Sequence, residues 1–525
     1  MEIVSRLADR SIHRSRYADL VRRSRQLAVA LADLGVRPGD RVATLGWNHH
    51  QHLEAYFAVP SLGAVLHTLN VRQHPDELAR VARHAGDRVV IVDASMLPVF
   101  DQCRQRIGTE QVVVMGGVDG TAGTDAADID FEDLVACGDA SRYVELDLDE
   151  RSAAAMCYTS GTTGEPKGVT YSHRVIALHA MHWTAADVAG ASQRDTMLAV
   201  VPMFHINGWG MAFAACLAGA RLVLPNRYLD AESLLELIAA ERVTVSGGVP
   251  AVWLAVLREL ERGAAFDVSS LRALLVGGSA APPALIRGFE RLGVPVLHAW
   301  GMTETTALAT VVSLPPDLAD GDTAARDRAR LTQGRPLPFV EIRARSEDGL
   351  VPWDGETMGE LEVRGPTVAT SYVAREGDPA FTPDGWFRTG DIVTIDQRGF
   401  VEIQDRARDL IRSGGEWISS VLLENELMNH PAVAEAAVVA MPDDTWGERP
   451  RAYVVLKAGS AATADDLRAH LRPHIVKWWM PDAFEFIDEL PRSSTGKIHK
   501  LALRTRQRGP SPPSPPSPPS SSSER

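Results

Sequence analysis

Amphipathic helices and short apolar strands alternate through most of this chain. Leucines recur at helical spacing over residues 16–34, and the turn VRPGD then leads into the strand-like RVATLG. The same order returns in DELARVARHAG before RVVIVDA, in AESLLELIAAERV before TVSGG, and in AVWLAVLRELERG before RALLVGG. Helices that alternate with short apolar strands are typical of layered architectures with largely parallel sheets. The sequence therefore predicts an α/β fold.

The chain is too long, at 525 residues, for a single hydrophobic core. After about residue 405 the pattern changes to the strands AEAAVVAMP and RAYVVLK and the helix TADDLRAHLRPHI, which is typical of a small α+β domain. The last segment, GPSPPSPPSPPSSSSER, offers no apolar anchor. We predict a large N-terminal domain of layered α/β subdomains over residues 1–405, a small mobile α+β C-terminal domain over 406–505 after a hinge, and a disordered tail over 506–525.

Charge and cysteine usage exclude several classes of protein. The chain carries 54 Lys and Arg against 68 Asp and Glu, and the net charge of -14 disfavours binding to nucleic acid. The uncharged stretch 196–220 is long enough to span a membrane, but its prolines, glycines and polar residues favour a buried pocket wall over a transmembrane segment. Four cysteines without paired spacing, and an N-terminal sequence unlike a signal peptide, predict a cytoplasmic protein.

One segment has the composition of a phosphate-binding loop. YTSGTTGEPKG (158–168) combines hydroxyl side chains, three glycines and one lysine, so its backbone can approach a polyphosphate closely. Its spacing differs from that of a Walker A loop, and a flexible turn is the alternative. The predicted nucleotide contacts in this loop are Thr159, Ser160, Gly161, Thr162, Thr163 and Lys167.

With four further motifs, this segment resembles the adenylate-forming superfamily of acyl-CoA synthetases, peptide-synthetase adenylation domains and luciferases. HAWGMTE (298–304), WFRTGD (386–391), DRARDLIRSGGEWIS (405–419) and PRSSTGK (491–497) follow in the family's order. The resemblance spans nearly the whole chain up to Leu503. MFHINGWG (203–210) and SGGEWIS are most similar to the fatty-acyl-CoA synthetases.

The resemblance implies how ATP is bound. Glu304 and Thr162 would hold Mg²⁺, for which oxygen ligands are suited. Asp391 would bind the ribose hydroxyls, with a capped turn as the alternative, and Lys497 would balance charge on the α-phosphate. The remaining implied nucleotide contacts are Gly277, Gly278, His298, Ala299, Trp300, Thr303, Arg406, Arg412 and Trp417.

The resemblance also implies sites for the acid and for the thiol. Gly414 and Gly415 would leave a tunnel for pantetheine after the small domain rotates about a hinge near Arg408, where the family usually has Lys or Asp. His205 would act at the carboxylate end of the acid. The implied acyl pocket contains Met203, Trp209, Val249 and Met302, with Trp183 as a weaker candidate. Trp209 is either a gate that nucleotide opens or a fixed wall.

The implied reaction has two halves: acid and ATP give acyl-AMP and pyrophosphate, then acyl-AMP and CoA give acyl-CoA and AMP. We expect an ATP-, Mg²⁺- and CoA-dependent ligase for a medium- or long-chain fatty acid. The alternatives are an acyl-AMP ligase that loads a carrier protein, and a CoA ligase for an aromatic or short branched acid. A regulatory pseudoenzyme is opposed by the presence of Thr162, Glu304, Asp391 and Lys497. A homodimer is left open.

Overall fold

The computed structural model describes residues 1–116, 125, 127–159, 166–414, 416–492 and 498–505, with the side chain of Glu416 left out. The chain forms two compact units, Met1–Ile403 and Gln404–Arg525. The predicted tail, residues 506–525, lies outside the described residues. None of the described helices is long and apolar enough to cross a membrane.

Two sheets with mainly parallel strands form the framework of the first unit. Parallel pairing holds at their centres, and antiparallel strands close three of the four edges, for example Ile12–Arg16 beside Glu2–Arg6. The fourth edge strand, Ile129–Asp130, is parallel to its neighbour. In spatial order, the larger sheet contains Arg335–Pro336, Thr310–Val311, Val296–Trp300, Ala273–Val276, Val245–Gly248, Thr196–Leu198, Arg221–Leu224, Glu2–Arg6 and Ile12–Arg16. The other contains Ile129–Asp130, Gln111–Met115, Asp87–Asp93, Arg41–Leu45, Val65–Thr68, Ala153–Thr159 and Lys167–Ser172.

The helices between these strands follow the predicted order. Helix Pro75–Ala85 illustrates the local cause: proline opens it, the His74 side chain accepts from the Asp76 N–H, and Gly86 ends it at φ 73°. The described helices of the first unit are Tyr17–Asp33, His50–Ser61, Pro75–Ala85, Leu97–Phe100, Arg104–Ile107, Phe131–Cys137, His173–Thr184, Met211–Ala218, Ala231–Glu241, Pro250–Glu261, Pro283–Arg291, Pro316–Ala319 and Thr323–Leu331, with a short left-handed turn at Ile206–Trp209 and 3₁₀ turns at Ala94–Met96, Ala140–Arg142 and Thr303–Thr305.

Apolar side chains from the inner faces of both sheets and their helices form a continuous core. Tyr56, Phe131 and Trp183 are fully buried members of it. A second cluster, around Trp253 and Phe289, lies between the larger sheet and its outer helices. Both clusters are built from the apolar faces that the helical spacing predicted, which confirms the α/β fold.

A smaller antiparallel sheet follows the two parallel ones. In spatial order it contains Gly349–Leu350, Glu341–Ser346, Gly359–Arg364, Phe387–Ile395 and Val401–Arg406. Its strand Phe387–Ile395 carries the WFRTGD motif into the first unit. The chain passes into the second unit within the strand Val401–Arg406.

The second unit is a small α+β body with its own core. Ile411, Leu423, Val438 and Leu467 are fully buried in that core. Its sheet contains Glu416–Ile418, Ile411–Ser413, Gly447–Leu456 and Val433–Asp443 in spatial order, with Ala483–Phe486 parallel to Gly447–Leu456. Its helices are Ser420–Met428, Ala464–Leu471 and Lys500–Thr505, with a 3₁₀ turn at Lys477–Trp479.

A buried ionic cluster connects the beginning of this second unit to its last helix. The Lys500 ammonium lies 2.6 Å from Glu424 Oε1 and donates to Ser420 Oγ at 2.6 Å. Asp405 accepts from the Ser420 N–H, and Arg504 pairs with Asp409 at 2.8 Å. Desolvation disfavours the Lys500 charge, but the carboxylates of Glu424 and Asp405 outweigh it and raise the pKa of Lys500.

Candidate functional site

The two ends of the predicted phosphate loop are fixed opposite each other. Thr159 ends one strand and Lys167 begins the next, and the two residues are paired in an antiparallel register. The Lys167 ammonium lies 3.7 Å from Asp378 Oδ2 and 4.7 Å from the centre of the Tyr372 ring. Ser160, Gly161, Thr162 and Thr163 lie outside the described residues.

The predicted adenine residues lie at the carboxyl ends of neighbouring parallel strands. Gly277 and Gly278 follow Ala273–Val276, which pairs with the strand that ends in His298, Ala299 and Trp300. A Cβ on Gly277 would lie 2.8 Å from the Ala299 carbonyl oxygen, so only glycine fits there. This edge of a parallel sheet is where open α/β folds bind ligands.

His298 is buried and holds the following loop through its ring. Nε2 accepts from the Ala281 N–H at 3.2 Å, and burial lowers the pKa of His298 to about 4. A neutral imidazole is therefore present at neutral pH.

The buried state of His298 predicts an acid-dependent loss of stability. An unfolded histidine binds a proton below about pH 6.5, whereas folded His298 binds one only near pH 4. The protein therefore loses stability as the pH is lowered from about 6.5 to about 4. When the pH is lowered from about 7 to about 5, wild type should lose about 2 kcal/mol of unfolding free energy through His298, and His298→Gln should not lose it. Urea unfolding without nucleotide measures this change. His499→Gln, at an exposed position, is the control. Equal pH slopes for wild type and His298→Gln would contradict the prediction.

A direct hydrogen bond joins the predicted adenine and ribose motifs. The Trp300 Nε1–H donates to Asp391 Oδ2 at 2.9 Å, and both side chains are buried. The Asp391 N–H donates to Thr389 Oγ1 at 3.1 Å, which fixes the turn before the carboxylate. The carboxylate therefore has one defined orientation at the end of the adenine strand.

Glu304 lies in the 3₁₀ turn Thr303–Thr305 and is almost fully buried. Its Oε1 accepts from the Tyr372 hydroxyl at 2.6 Å, and its backbone carbonyl accepts from the Ala369 N–H at 2.7 Å. The neighbouring Thr303 carbonyl accepts from the Tyr171 hydroxyl at 2.8 Å. Burial raises the pKa of Tyr372, and the Glu304 carboxylate raises it further, so the phenol stays a donor. The carboxylate oxygens of Glu304 are ligands of the kind that Mg²⁺ prefers.

The segment before and around Trp209 has an unexpected backbone. His205 is half-buried, and the five residues after it, 206–210, all have φ between 39° and 66°. Such left-handed geometry costs about 1–2 kcal/mol for each residue other than glycine. The Trp209 carbonyl accepts from His179 Nε2 at 2.9 Å and from Trp183 Nε1 at 3.0 Å, and these bonds hold the turn.

The Trp209 ring lies against the two adenine-motif glycines. Its atoms are 3.5 Å and 3.7 Å from the positions that a Cβ would take on Gly277 and Gly278. Val249 packs on the same Gly278. The turn thus brings the predicted acyl and adenine residues into contact.

A small cavity, with room for about one water molecule, lies beside this turn. None of the predicted pocket residues Met203, Trp209, Val249 and Met302 is in its lining, and the Met203 N–H instead donates to Asn48 Oδ1 at 2.7 Å. The lining residues come from distant parts of the sequence, so local spacing offered no signal for them. They are Tyr171, Ile176, His179, Ile206, Asn207, Gly210, Phe213 and Thr306.

The second unit carries the remaining predicted residues. Arg412 and Trp417 face each other across an antiparallel pair of short strands, and Arg406 ends the strand Val401–Arg406. Gly414 has φ 59°, its N–H donates to the Trp446 carbonyl at 2.8 Å, and an added Cβ would lie 3.0 Å from the Trp446 ring. Gly415 and Lys497 lie outside the described residues.

Comparison with known proteins covers both units. The family profile described as AMP-binding enzyme matches residues 5–373, and that of the AMP-binding enzyme C-terminal domain matches residues 422–497. A long-chain-fatty-acid–CoA ligase from Thermus thermophilus is 46% identical over 96% of this chain and 92% of its own. A 3-methylmercaptopropionyl-CoA ligase from Ruegeria pomeroyi is 42% identical over 94% and 92%. A medium-chain-fatty-acid–CoA ligase from Ectopseudomonas oleovorans is 42% identical over 96% and 92%.

A solved structure has the same fold. The o-succinylbenzoate CoA synthetase of Bacillus subtilis, in complex with ATP and a magnesium ion, superposes with a TM-score of 0.79 at 28% identity over 96% of each chain.

Proposed function

Because the chain belongs to the family of AMP-binding enzymes, we infer that it is an AMP-forming acid–CoA ligase whose substrate is a medium- or long-chain fatty acid. The acid's carboxylate attacks the α-phosphate of ATP, pyrophosphate leaves, and the CoA thiol then displaces AMP from the acyl-adenylate. The observation that carries this proposal is the Trp300–Asp391 hydrogen bond, which unites adenine and ribose motifs that are far apart in sequence.

In this proposal, different residues of the first unit contact the adenine, the ribose and the phosphates of ATP. Gly277, Gly278 and neutral His298 border the adenine, and Asp391, oriented by Trp300, accepts from the ribose hydroxyls. Lys167 attracts the phosphates as a positive charge.

Glu304 and Thr162 would hold a magnesium ion, which, when bound, neutralises charge on the phosphate oxygens. The buried carboxylate of Glu304 fits this role, and its orientation is set by the Tyr372 hydroxyl. Thr162 is assigned from its motif alone, because it lies outside the described residues.

We place the acyl group along the turn 206–210, where the small cavity meets the Glu304 turn through Tyr171 and Thr306. His205 precedes this turn and would contact the carboxylate end of the acid. The cavity must widen to take an acyl chain, and the strained backbone of the turn is the segment whose relaxation can widen it.

The test is a panel of acids of increasing length and ring content, assayed for AMP release by the full chain with ATP, Mg²⁺ and CoA. We expect release that requires both acid and CoA and is fastest with medium- or long-chain fatty acids. Turnover only with aromatic or short branched acids would refute the substrate class. Acyl-AMP formation without transfer to CoA would favour a carrier protein as acceptor.

Trp209 offers a separate prediction about the order of binding. Its ring lies beside Gly277 and Gly278, where adenine is expected, so nucleotide should displace it. Wild-type protein should bind a long-chain acid more tightly with a non-hydrolysable ATP analogue than without it, and Trp209→Ala should bind it equally in both cases. Calorimetric affinities test this expectation. If the ATP analogue left the wild-type affinity for the acid unchanged, Trp209 would instead be a fixed wall of the acyl pocket.

A further inference from the structure

Residues 369–373, here called the strap, connect two ATP-handling motifs. At one end the Ala369 N–H donates to the Glu304 carbonyl at 2.7 Å. At the other end the Val373 N–H donates to the Gly168 carbonyl at 2.8 Å, next to Lys167. The strap therefore fixes the backbone of the magnesium motif relative to the end of the phosphate loop.

Tyr372 connects the same two motifs through its side chain. Its hydroxyl donates to Glu304 Oε1 at 2.6 Å, and its ring lies 4.7 Å from the Lys167 ammonium. Phe381 packs edge-on against the ring at 5.1 Å, and Tyr372 is only 5% exposed. Packing and hydrogen bonding thus leave the ring one position.

In this position Tyr372 contacts two oppositely charged groups. The half-buried Lys167 and the buried Glu304 carry opposite charges, and both contact this one side chain. Here the Tyr372 hydroxyl satisfies Glu304 Oε1, while Lys167 rests on the ring face and lies 3.7 Å from Asp378. Tyr372 therefore contacts both charged groups, and Lys167 is held in addition by its ion pair with Asp378.

We propose that Tyr372 is a positioning residue that orients Glu304 toward the divalent cation of ATP and supports Lys167 beside the phosphates. The inference rests on the proposed function, since it concerns the same nucleotide site. Its hydroxyl acts on the cation through Glu304, and its ring acts on the phosphates through Lys167. The two parts of one side chain can therefore be tested separately.

The experiment measures ATP binding by calorimetry, with and without Mg²⁺ and with neither acid nor CoA present. Tyr372→Phe removes the hydroxyl but keeps the ring. It should reduce the Mg²⁺-dependent gain in ATP affinity about tenfold and leave the Mg²⁺-free affinity unchanged. Tyr372→Leu removes the ring as well and should also lower the Mg²⁺-free affinity, about threefold.

Two further variants distinguish positioning from general damage. Tyr228→Phe, which removes a hydroxyl that donates to the Ala8 carbonyl, should behave as wild type. In a Glu304→Gln background, Tyr372→Phe should have little further effect on the Mg²⁺-dependent gain.

An unchanged Mg²⁺-dependent gain in Tyr372→Phe would overturn the inference, as would equal losses with and without Mg²⁺. Either result would leave the proposed function standing. Failure of the wild-type chain to bind ATP would instead refute the proposed function, and this inference with it.

Discussion

Lys497→Ala should slow formation of the acyl-adenylate about 100- to 1000-fold. This is the loss typical of removing one preorganised group that stabilises the charge developing in a transition state. The reason is the negative charge that builds on the α-phosphate as pyrophosphate leaves. Transfer from supplied acyl-adenylate to CoA should persist, because the proposed rotation about the hinge presents a different face of the small domain in that step. Pyrophosphate exchange measures the first half-reaction, and release of AMP from supplied acyl-adenylate measures the second.

Lys457→Ala is a matched control for this variant. Lys457 lies in the same unit, at an exposed position where its ammonium donates to the Pro431 carbonyl, and its loss should change neither half-reaction. If Lys497→Ala slowed both half-reactions equally in a folded protein, the assignment of Lys497 to adenylation would be wrong.

Gly414→Leu should have the opposite effect, slowing thioester formation about 100-fold while the acyl-adenylate still forms. The Gly414 backbone has φ 59°, and an added Cβ would lie 3.0 Å from the Trp446 ring and 3.3 Å from that of Trp478. A leucine there must displace these rings and fill the space proposed for pantetheine. Rapid-quench assays of acyl-AMP and acyl-CoA separate the two steps.

Gly459→Leu controls for backbone strain in that experiment. Gly459 lies in the same unit at φ 76°, and no atom lies within 4 Å of an added Cβ. Its variant should lose some stability but keep both half-reactions. Acyl-CoA formation by Gly414→Leu at the wild-type rate would remove Gly414 from the tunnel hypothesis.

Periodic patterns predicted the regular elements well. The helix expected over residues 16–34 is Tyr17–Asp33, and the strand expected in RALLVGG is Ala273–Val276. The helix follows from leucines at helical spacing and the strand from a short apolar run, and both patterns are local to the sequence. The family motifs likewise placed Trp300 and Asp391, which the fold then joins by a hydrogen bond.

The left-handed turn 206–210 and the role of Tyr372 could not be predicted in this way. Gly208 and Gly210 adopt positive φ readily, but isoleucine and tryptophan, as at Ile206 and Trp209, rarely do so by themselves. Their geometry is imposed by hydrogen bonds from residues 26 or more positions away, such as Trp183 to the Trp209 carbonyl. Tyr372 lies 68 positions from Glu304 in a segment without a recognisable motif, so only the folded chain reveals the contact.

The ionic cluster of the second unit brings the beginning and the last helix of that unit together. Arg504 reaches Asp409, and Lys500 reaches Glu424 and Ser420, so the two ends of the folded body lie side by side. Adjacent ends are the condition under which a domain can be circularly permuted or inserted elsewhere. This unit therefore has the adjacent ends that circular permutation, or insertion into another protein, requires.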